Sequence, residues 1–219
     1  MSSLDRAINV CLQKMHSASG TDKGVYGEQA VFKICESLYQ QNGGILYHSY
    51  SFKTDKDKAG NIKVGPQGNL MLETLSSTTE IDILYVTRYR VFPIEVKAYK
   101  AKEITLTDDR IAGCFMTNKS PIHQNEMHAR HLYARIFRCL PGGCSDYILP
   151  VVVFVDECKL IDKRSDWQKS YIYKATLHNF KDVITTLNVP GEKVLDLINI
   201  DKCLTEVLVK YSVRLPLKF

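Results

Sequence analysis

The chain lacks the features that would carry it into or across a membrane as a helix. No apolar run approaches the ~20 residues that a spanning helix needs. Residues 1–20 show no basic start followed by an apolar stretch, so a secretory leader is not expected and a cytoplasmic setting is. None of the seven cysteines forms a C-x-x-C pair, which removes the commonest redox and zinc spacings. Cys139, Cys144 and Cys158 lack zinc spacing and a well-placed fourth ligand, and read as core or loop thiols; Cys11 and Cys35 lie on apolar helical stripes and read as reduced core residues. Internal repeats and low-complexity tracts are also missing. Neither sign of charge dominates: 29 Lys and Arg against 24 Asp and Glu leave +5, which permits nucleic-acid binding without demanding it. A hydrophobic content of 45% in 219 residues supports a real core, read as a single domain over residues 1–219.

What the chain does have is a pair of short strands, Glu80-Ile81-Asp82-Ile83-Leu84-Tyr85-Val86 and Val91-Phe92-Pro93-Ile94-Glu95-Val96-Lys97. An antiparallel hairpin centred on Arg88 and Tyr89 sets Ile83 against Ile94, Ile81 against Val96, Asp82 against Glu95 and Glu80 against Lys97. Alternation then predicts an apolar face and an ionisable one, and a one-residue slip would spoil both. Opposed carboxylates are destabilising: at ~4 Å and an effective dielectric of ~20, two unit charges repel by about 4 kcal/mol. Either one carboxyl keeps its proton or a divalent cation lies between them, and an all-oxygen set suits Mg²⁺ or Mn²⁺. Arg88-Tyr89 has no Gly or Asn for a tight primed turn, which leaves a longer symmetric loop open. The plain alternative is a surface hairpin in which Glu80 pairs with Lys97 while Asp82 and Glu95 are solvated.

Two helices bear on that choice. From Gly24 to Tyr39 the chain reads as amphipathic, with Val31, Phe32, Cys35, Leu38 and Tyr39 inward. Glu28 falls on that apolar face, where a carboxylate needs a partner, unless it owes its place to a first helical turn, where acids are favoured. Gly27 beside it leaves room for a close backbone approach. A second helix opens after Ser120 as N-cap with Pro121 at its first position. Down it run Gln124, His128, His131, Arg135 and Arg138, a stripe suited to a phosphate backbone or simply a solvated face.

Elsewhere the pattern predicts a helix over residues 4–16, strands near 45–52, 69–74 and 148–155, a helix over 122–139, an extended stretch at 171–177, and helices at 180–187 and 201–211. Lys53, Lys56, Lys58 and Lys63 crowd a Gly-containing loop, and Lys97, Lys100 and Lys102 follow the acidic strand. Any of these clusters would suit a duplex, and each is by default a solvated loop. Trp167, Tyr171 and Tyr173 read as packing residues.

Taken in order, Gly24 with Gly27-Glu28, Glu80-Ile81-Asp82, Val91 to Lys97, Ser120-Pro121 with Gln124 and His128, and the apolar strand Val151-Val152-Val153-Phe154 make residues 24–155 resemble the nuclease-related domain, NERD. That family is a branch of the restriction-endonuclease-like superfamily with the PD-(D/E)xK signature. The resemblance implies an α/β fold: a three-layer core with a central mixed sheet flanked by helices, with extra N- and C-terminal helices and a C-terminal extension over about residues 156–219. It implies a Mg²⁺- or Mn²⁺-dependent nuclease acting on DNA, expected to be an endonuclease. Asp82, Glu95 and Val96 are placed at the metal, Lys97 as catalytic lysine, and Glu28 and Gln124 as auxiliary active-site residues. Lys100, His128, His131 and Arg135 are expected to meet nucleic acid. Three departures stand out: Pro93 occupies a position usually aliphatic, although proline cannot donate to a central ladder, Lys100-Ala101 replace a glycine that usually follows the lysine strand, and the stretch before Glu80 is long. The competing reading is a catalytically inactive nuclease-like module that binds nucleic acid or a partner protein. No membrane partner is expected, and a homo-oligomer is left open.

Overall fold

The structure, a computed structural model, describes residues 3–18, 21–55, 75–99, 101–108, 111–112, 120–155, 158–191 and 193–219. Lys56, Lys58, Lys63, the strand expected at 69–74 and Lys100 lie outside the described residues.

Two amphipathic helices open the chain, α1 (Ser3–Ser17) and α2 (Thr21–Asn42). Gly43 ends α2 in the left-handed region at φ 71°, its N–H donating to the Tyr39 carbonyl at 2.9 Å. The next residue, Gly44, has φ 106° and would carry a Cβ only 2.0 Å from the Val86 carbonyl oxygen, so glycine alone makes this turn into the sheet. There follow β1 (Gly44–Asp55), β2 (Leu75–Val86), β3 (Val91–Lys97), β4 (Glu103–Leu106), β5 (Ile111–Ala112), α3 (Pro121–Ile136), β6 (Val151–Phe154) and β7 (Lys159–Asp162). The remainder comprises α4 (Asp166–Tyr171), β8 (Tyr173–Thr176), α5 (Phe180–Leu187), α6 (Leu197–Val207), β9 (Leu208–Lys210) and β10 (Val213–Lys218).

Seven strands form one mixed sheet in the order β10-β1-β2-β3-β6-β8, with β9 also on β1. The strands β1, β2 and β3 run antiparallel, whereas β3, β6 and β8 run parallel. Each residue of β6 is buried, as its unbroken apolar run requires of a parallel strand covered on both sides. On one face, α1, α2 and α5 pack through Met15, Phe32, Cys35, Leu38 and Phe180 onto Ile83, Tyr85, Ile94 and Val153. On the other, α3 and α6 pack through Leu132, Ile136, Ile200 and Leu204 onto Tyr47, Tyr50, Leu84 and Val86. A small sheet, β5-β4-β7, joins Ile122 against Val152 and Phe154. No helix among the described residues is long and apolar enough to cross a membrane.

The hairpin register is the one the alternation predicts, pairing Ile83 with Ile94 and Val86 with Val91. In place of a glycine turn, the Thr87 hydroxyl accepts the N–H groups of Tyr89 and Arg90 at 3.2 and 3.0 Å. Pro93 is accommodated on the β6 side. Leu149 N–H donates to the Val91 carbonyl and Val155 N–H to that of Lys97, so odd residues of β3 aim their main-chain groups at β6. Pairing there is interrupted beside Pro93 between the lone bridge Val91–Ile148 and the ladder that begins at Ile94–Val151. The amide of buried Asn125 in α3 fills this region, donating to the Pro93 and Val151 carbonyls at 3.2 and 2.9 Å.

Several boundaries differ from expectation. Helix α3 stops at Ile136 and continues as a 3-10 turn to Cys139. Tyr171 closes α4 instead of opening a strand, and α6 gives way at Leu208 to β9. The strands β4, β7 and β9 span only three or four residues each, too few for a pattern to declare them, and β10 alternates but carries Pro216, which argues against a strand. Cys35 is buried, but Cys11 is only partly so. Cys139 lies 3.4 Å from Cys203, sulfur to sulfur, and Cys144 receives the Asp146 N–H.

Because Asn125 ties α3 to both β3 and β6, Asn125→Leu is expected to cost about 1–3 kcal/mol. A lower urea midpoint at unchanged m would register it.

Candidate active site

Beyond Ile83 and Ile94 the hairpin parts. The β2 strand stays paired with β1 as far as Leu75, and β3 stays paired with β6 as far as Lys97, so each strand keeps its outer neighbour and a fork opens between them. At the fork the Asp82 carboxylate takes over the acceptor's place, receiving the Val96 N–H at Oδ2 over 2.7 Å. Since odd residues of β3 face β6, Val96 turns its carbonyl as well as its N–H toward the fork.

The same point breaks the side-chain alternation. Ser49 of β1 has φ 53° and falls opposite Asp82, between the pairs His48–Ile83 and Tyr50–Ile81. Ile83, Ile94 and Val96 pack under α2, whereas Ile81 packs with Tyr50 and Phe52 on the α3 side. The expected division into an apolar and an ionisable face is therefore corrected: both faces are apolar, and the ionisable groups gather where the sheet splits.

Glu95 is fully buried, with Oε1 accepting from Lys97 Nζ and Oε2 3.4 Å from His128 Nδ1 without an aligned hydrogen bond. Glu80 does not meet Lys97. It accepts from the Ser51 hydroxyl at 2.7 Å and lies 3.5 Å from Lys210 Nζ. The surface-hairpin alternative thus fails on both counts.

Glu28 reaches the fork from the α2 side. Because α2 begins at Thr21, Glu28 lies well inside the helix, which removes the first-turn explanation for it. Its Oε2 lies 3.7 Å from His48 Nε2, and its charge is felt at Asp82. A Cβ on Gly27 would meet Val155 Cγ2 at 2.8 Å, so the glycine lets α2 sit against the end of β6. From the α3 side come His128 and, one turn earlier on the same helical face, Gln124. Ser120 and Pro121 occupy their expected positions, but the Ser120 hydroxyl makes no cap bond.

The expected basic stripe is not an open track: His128 and His131 are only 6% and 3% exposed. Arg135 donates to the Lys53 carbonyl at 3.0 Å. Sequence patterns missed His48, which carries no periodic signal in its strand. It is brought to Glu28 by tertiary packing.

Burial, then the charges of Glu95 and Glu28, push Asp82 well above the ordinary carboxylate range, against the Val96 N–H and the Lys97 charge. Burial works against charge on Lys97 too, but the charge and hydrogen bond of Glu95, followed by Asp82, hold its ammonium above the ordinary lysine range. Among the described residues no group of three or more His, Cys, Asp or Glu side chains is arranged to hold a metal ion. The donor set at the fork is smaller: two carboxylates, one with a buried oxygen lacking a hydrogen bond, and a main-chain carbonyl. That set fits Mg²⁺ or Mn²⁺, which take one or two carboxylates and complete their shell with water and substrate oxygens.

A mixed sheet between helical layers, with two carboxylates and a lysine gathered where its strands part, defines an α/β nuclease-like core. The sequence model of the nuclease-related domain, NERD, matches residues 23–155. The chain belongs to this family, and the match takes in Glu28, Asp82, Glu95, Lys97 and Gln124. Neither curated proteins nor solved structures gave a match.

Two outcomes follow from the packing and the charges. Gly27→Ala forces a methyl onto stiff, β-branched Val155 and is expected to cost about 1–3 kcal/mol by chemical denaturation, most of it recovered by adding Val155→Ala. A carboxyl whose folded pKa is raised loses stability as pH climbs from its unfolded to its folded value. Asp82→Asn keeps an acceptor for Val96 while removing the charge, so in EDTA at neutral pH its melting temperature should exceed that of the parent protein, by an amount that shrinks toward pH 4.

Proposed function

We propose that this protein is a Mg²⁺- or Mn²⁺-dependent nuclease that hydrolyses phosphodiester bonds in DNA, acting as an endonuclease in the cytoplasm. The observation carrying this reading is the convergence of Asp82, Glu95 and Lys97 at the fork between β2 and β3, with Val96 facing the same opening. Family membership adds nuclease-related ancestry.

Asp82, Glu95 and the Val96 carbonyl would hold the ion. When bound, it supplies positive charge that polarises a phosphate and acidifies a water. Lys97, kept protonated by Glu95, places its ammonium beside the phosphate and offsets the negative charge that grows on the non-bridging oxygens. Glu28 would orient the attacking water or complete a second metal site through its carboxylate. Gln124 positions the water or a phosphate oxygen from the first turn of α3. Lys100 and Arg135 contribute positive charge for the nucleic-acid backbone, and buried His128 supports Glu95.

Asp82→Ala, Glu95→Ala and Lys97→Ala are each expected to reduce Mg²⁺-dependent plasmid nicking by at least 100-fold while the far-ultraviolet circular dichroism stays unchanged. Full nicking by any of the three would refute the assignment. Tight DNA or protein binding that is indifferent to EDTA, with no nicking by the parent protein, would instead identify a non-cleaving module.

A further inference from the structure

On β1, His48 stacks against Phe32 of α2, ring centroids 4.7 Å apart at 21°. Phe32 lies one helical turn beyond Glu28, so the stack sets the imidazole beside that carboxylate. The contact is 3.7 Å between His48 Nε2 and Glu28 Oε2, and Nε2 is buried without a hydrogen-bond partner. A polar atom in that condition is costly, and Glu28 is the acceptor within reach.

The backbone of His48 is fixed as firmly as its ring. Its carbonyl accepts the Ser212 N–H at 3.0 Å and the Ser212 hydroxyl at 3.0 Å. The next residue is Ser49, with its left-handed backbone opposite Asp82. Left-handed serine is strained, and such strain persists only where surrounding structure over-determines it. Here it lets His48 face α2 while Tyr50, two residues on, faces α3. Without the break, His48 and Tyr50 would share a face.

We infer that His48 is a positioning residue of the active site: carrying its proton on Nε2, it donates to Glu28 and holds that carboxylate toward Asp82. The inference rests on the nuclease reading and extends it to a residue outside the acidic set. Glu28 is partly exposed, with 28% of its side-chain surface open, so an unheld carboxylate would turn into solvent. The imidazole stays outside the set of groups that meet substrate.

The test separates ring packing from hydrogen bonding. His48→Phe preserves an aromatic ring on Phe32 and removes Nε2; His48→Gln restores an N–H donor without the ring; Glu28→Gln removes the acceptor charge. Mn²⁺ binding by calorimetry and the kcat and KM of plasmid nicking are measured for each variant and for the double variant. Partners of this kind contribute about 10–100-fold to metal affinity or activity. The expected results for His48→Phe are at least tenfold weaker Mn²⁺ binding and at least tenfold lower kcat, with KM for DNA unchanged. His48→Gln should recover most of both. In the Glu28→Gln background, His48→Phe should have no further effect.

Parent-like Mn²⁺ binding and kcat in His48→Phe, or losses that simply add to those of Glu28→Gln, would overturn the inference and leave the nuclease reading standing. Failure of the parent protein to bind Mn²⁺ or cleave DNA would overturn the reading and the inference together. If His48→Phe does not fold, His48→Gln decides: a loss as large as that of Glu28→Gln would show that an N–H donor is not what the position supplies.

Discussion

The hydrogen bond from the Val96 N–H to the Asp82 carboxylate is the contact on which the rest of the site depends. In an uninterrupted sheet that N–H would be satisfied by a main-chain carbonyl of β2, and the two strands would stay closed. A side-chain acceptor allows them to separate without leaving a buried donor unpaired. The separation in turn brings groups from opposite faces together. A closed sheet keeps its two faces apart, so Glu28 under one layer of helices and His128 under the other would never serve one volume. Where the strands part, both reach the edge of the same opening.

Charge makes this arrangement expensive. Asp82 feels two further carboxylates, Glu95 and Glu28, in a buried setting, and Lys97 compensates only in part. Such a cluster persists because the surrounding packing is strong enough to hold it. The interdigitated cores on both faces anchor β2 and β3 through Ile83, Leu84, Tyr85 and Ile94, just above the fork. A glycine at the contact between α2 and Val155 lets the helix carrying Glu28 approach closely. The conflict between local electrostatics and global packing is typical of places where function, not stability, has set the residue choice.

The sequence made some of this legible and hid the rest for physical reasons. Helices α1, α2 and α5 follow from amphipathic periodicity, and the pairing of residues 83–86 with 91–94 follows from alternation about Arg88 and Tyr89. These are local patterns. The fork is not local: it arises because β1 and β6 hold the far ends of β2 and β3, and neither competitor is visible from the hairpin itself. Alternation therefore placed Ile81 on the wrong face and set Glu80 against Lys97. Burial of His128 and His131 was hidden for a similar reason, since it comes from the packing of α3 on the sheet, where His128 lies 3.4 Å from Glu95 of β3. His48 is the clearest case, because only the folded stack of its ring on Phe32 brings it to Glu28.

Residues outside the family match are built into the same machinery. The matched span supplies β1, β2, β3, β6, α2 and α3, which carry the acidic groups and the lysine. Yet β9 and β10 lie along β1, and α6 supplies Ile200 and Leu204 to the core beneath Tyr47 and Tyr50. The Tyr50 hydroxyl donates to the Leu204 carbonyl at 2.7 Å, and Ser212 grips the His48 carbonyl. Both contacts flank Ser49, the one non-glycine residue with positive φ among those described. The strained residue is held by the β2 pairs His48–Ile83 and Tyr50–Ile81 and by these two contacts from the C-terminal segment. That segment therefore acts on the fork through β1: it helps keep the break opposite Asp82 in place, and with it the opening where the acidic groups and the lysine converge.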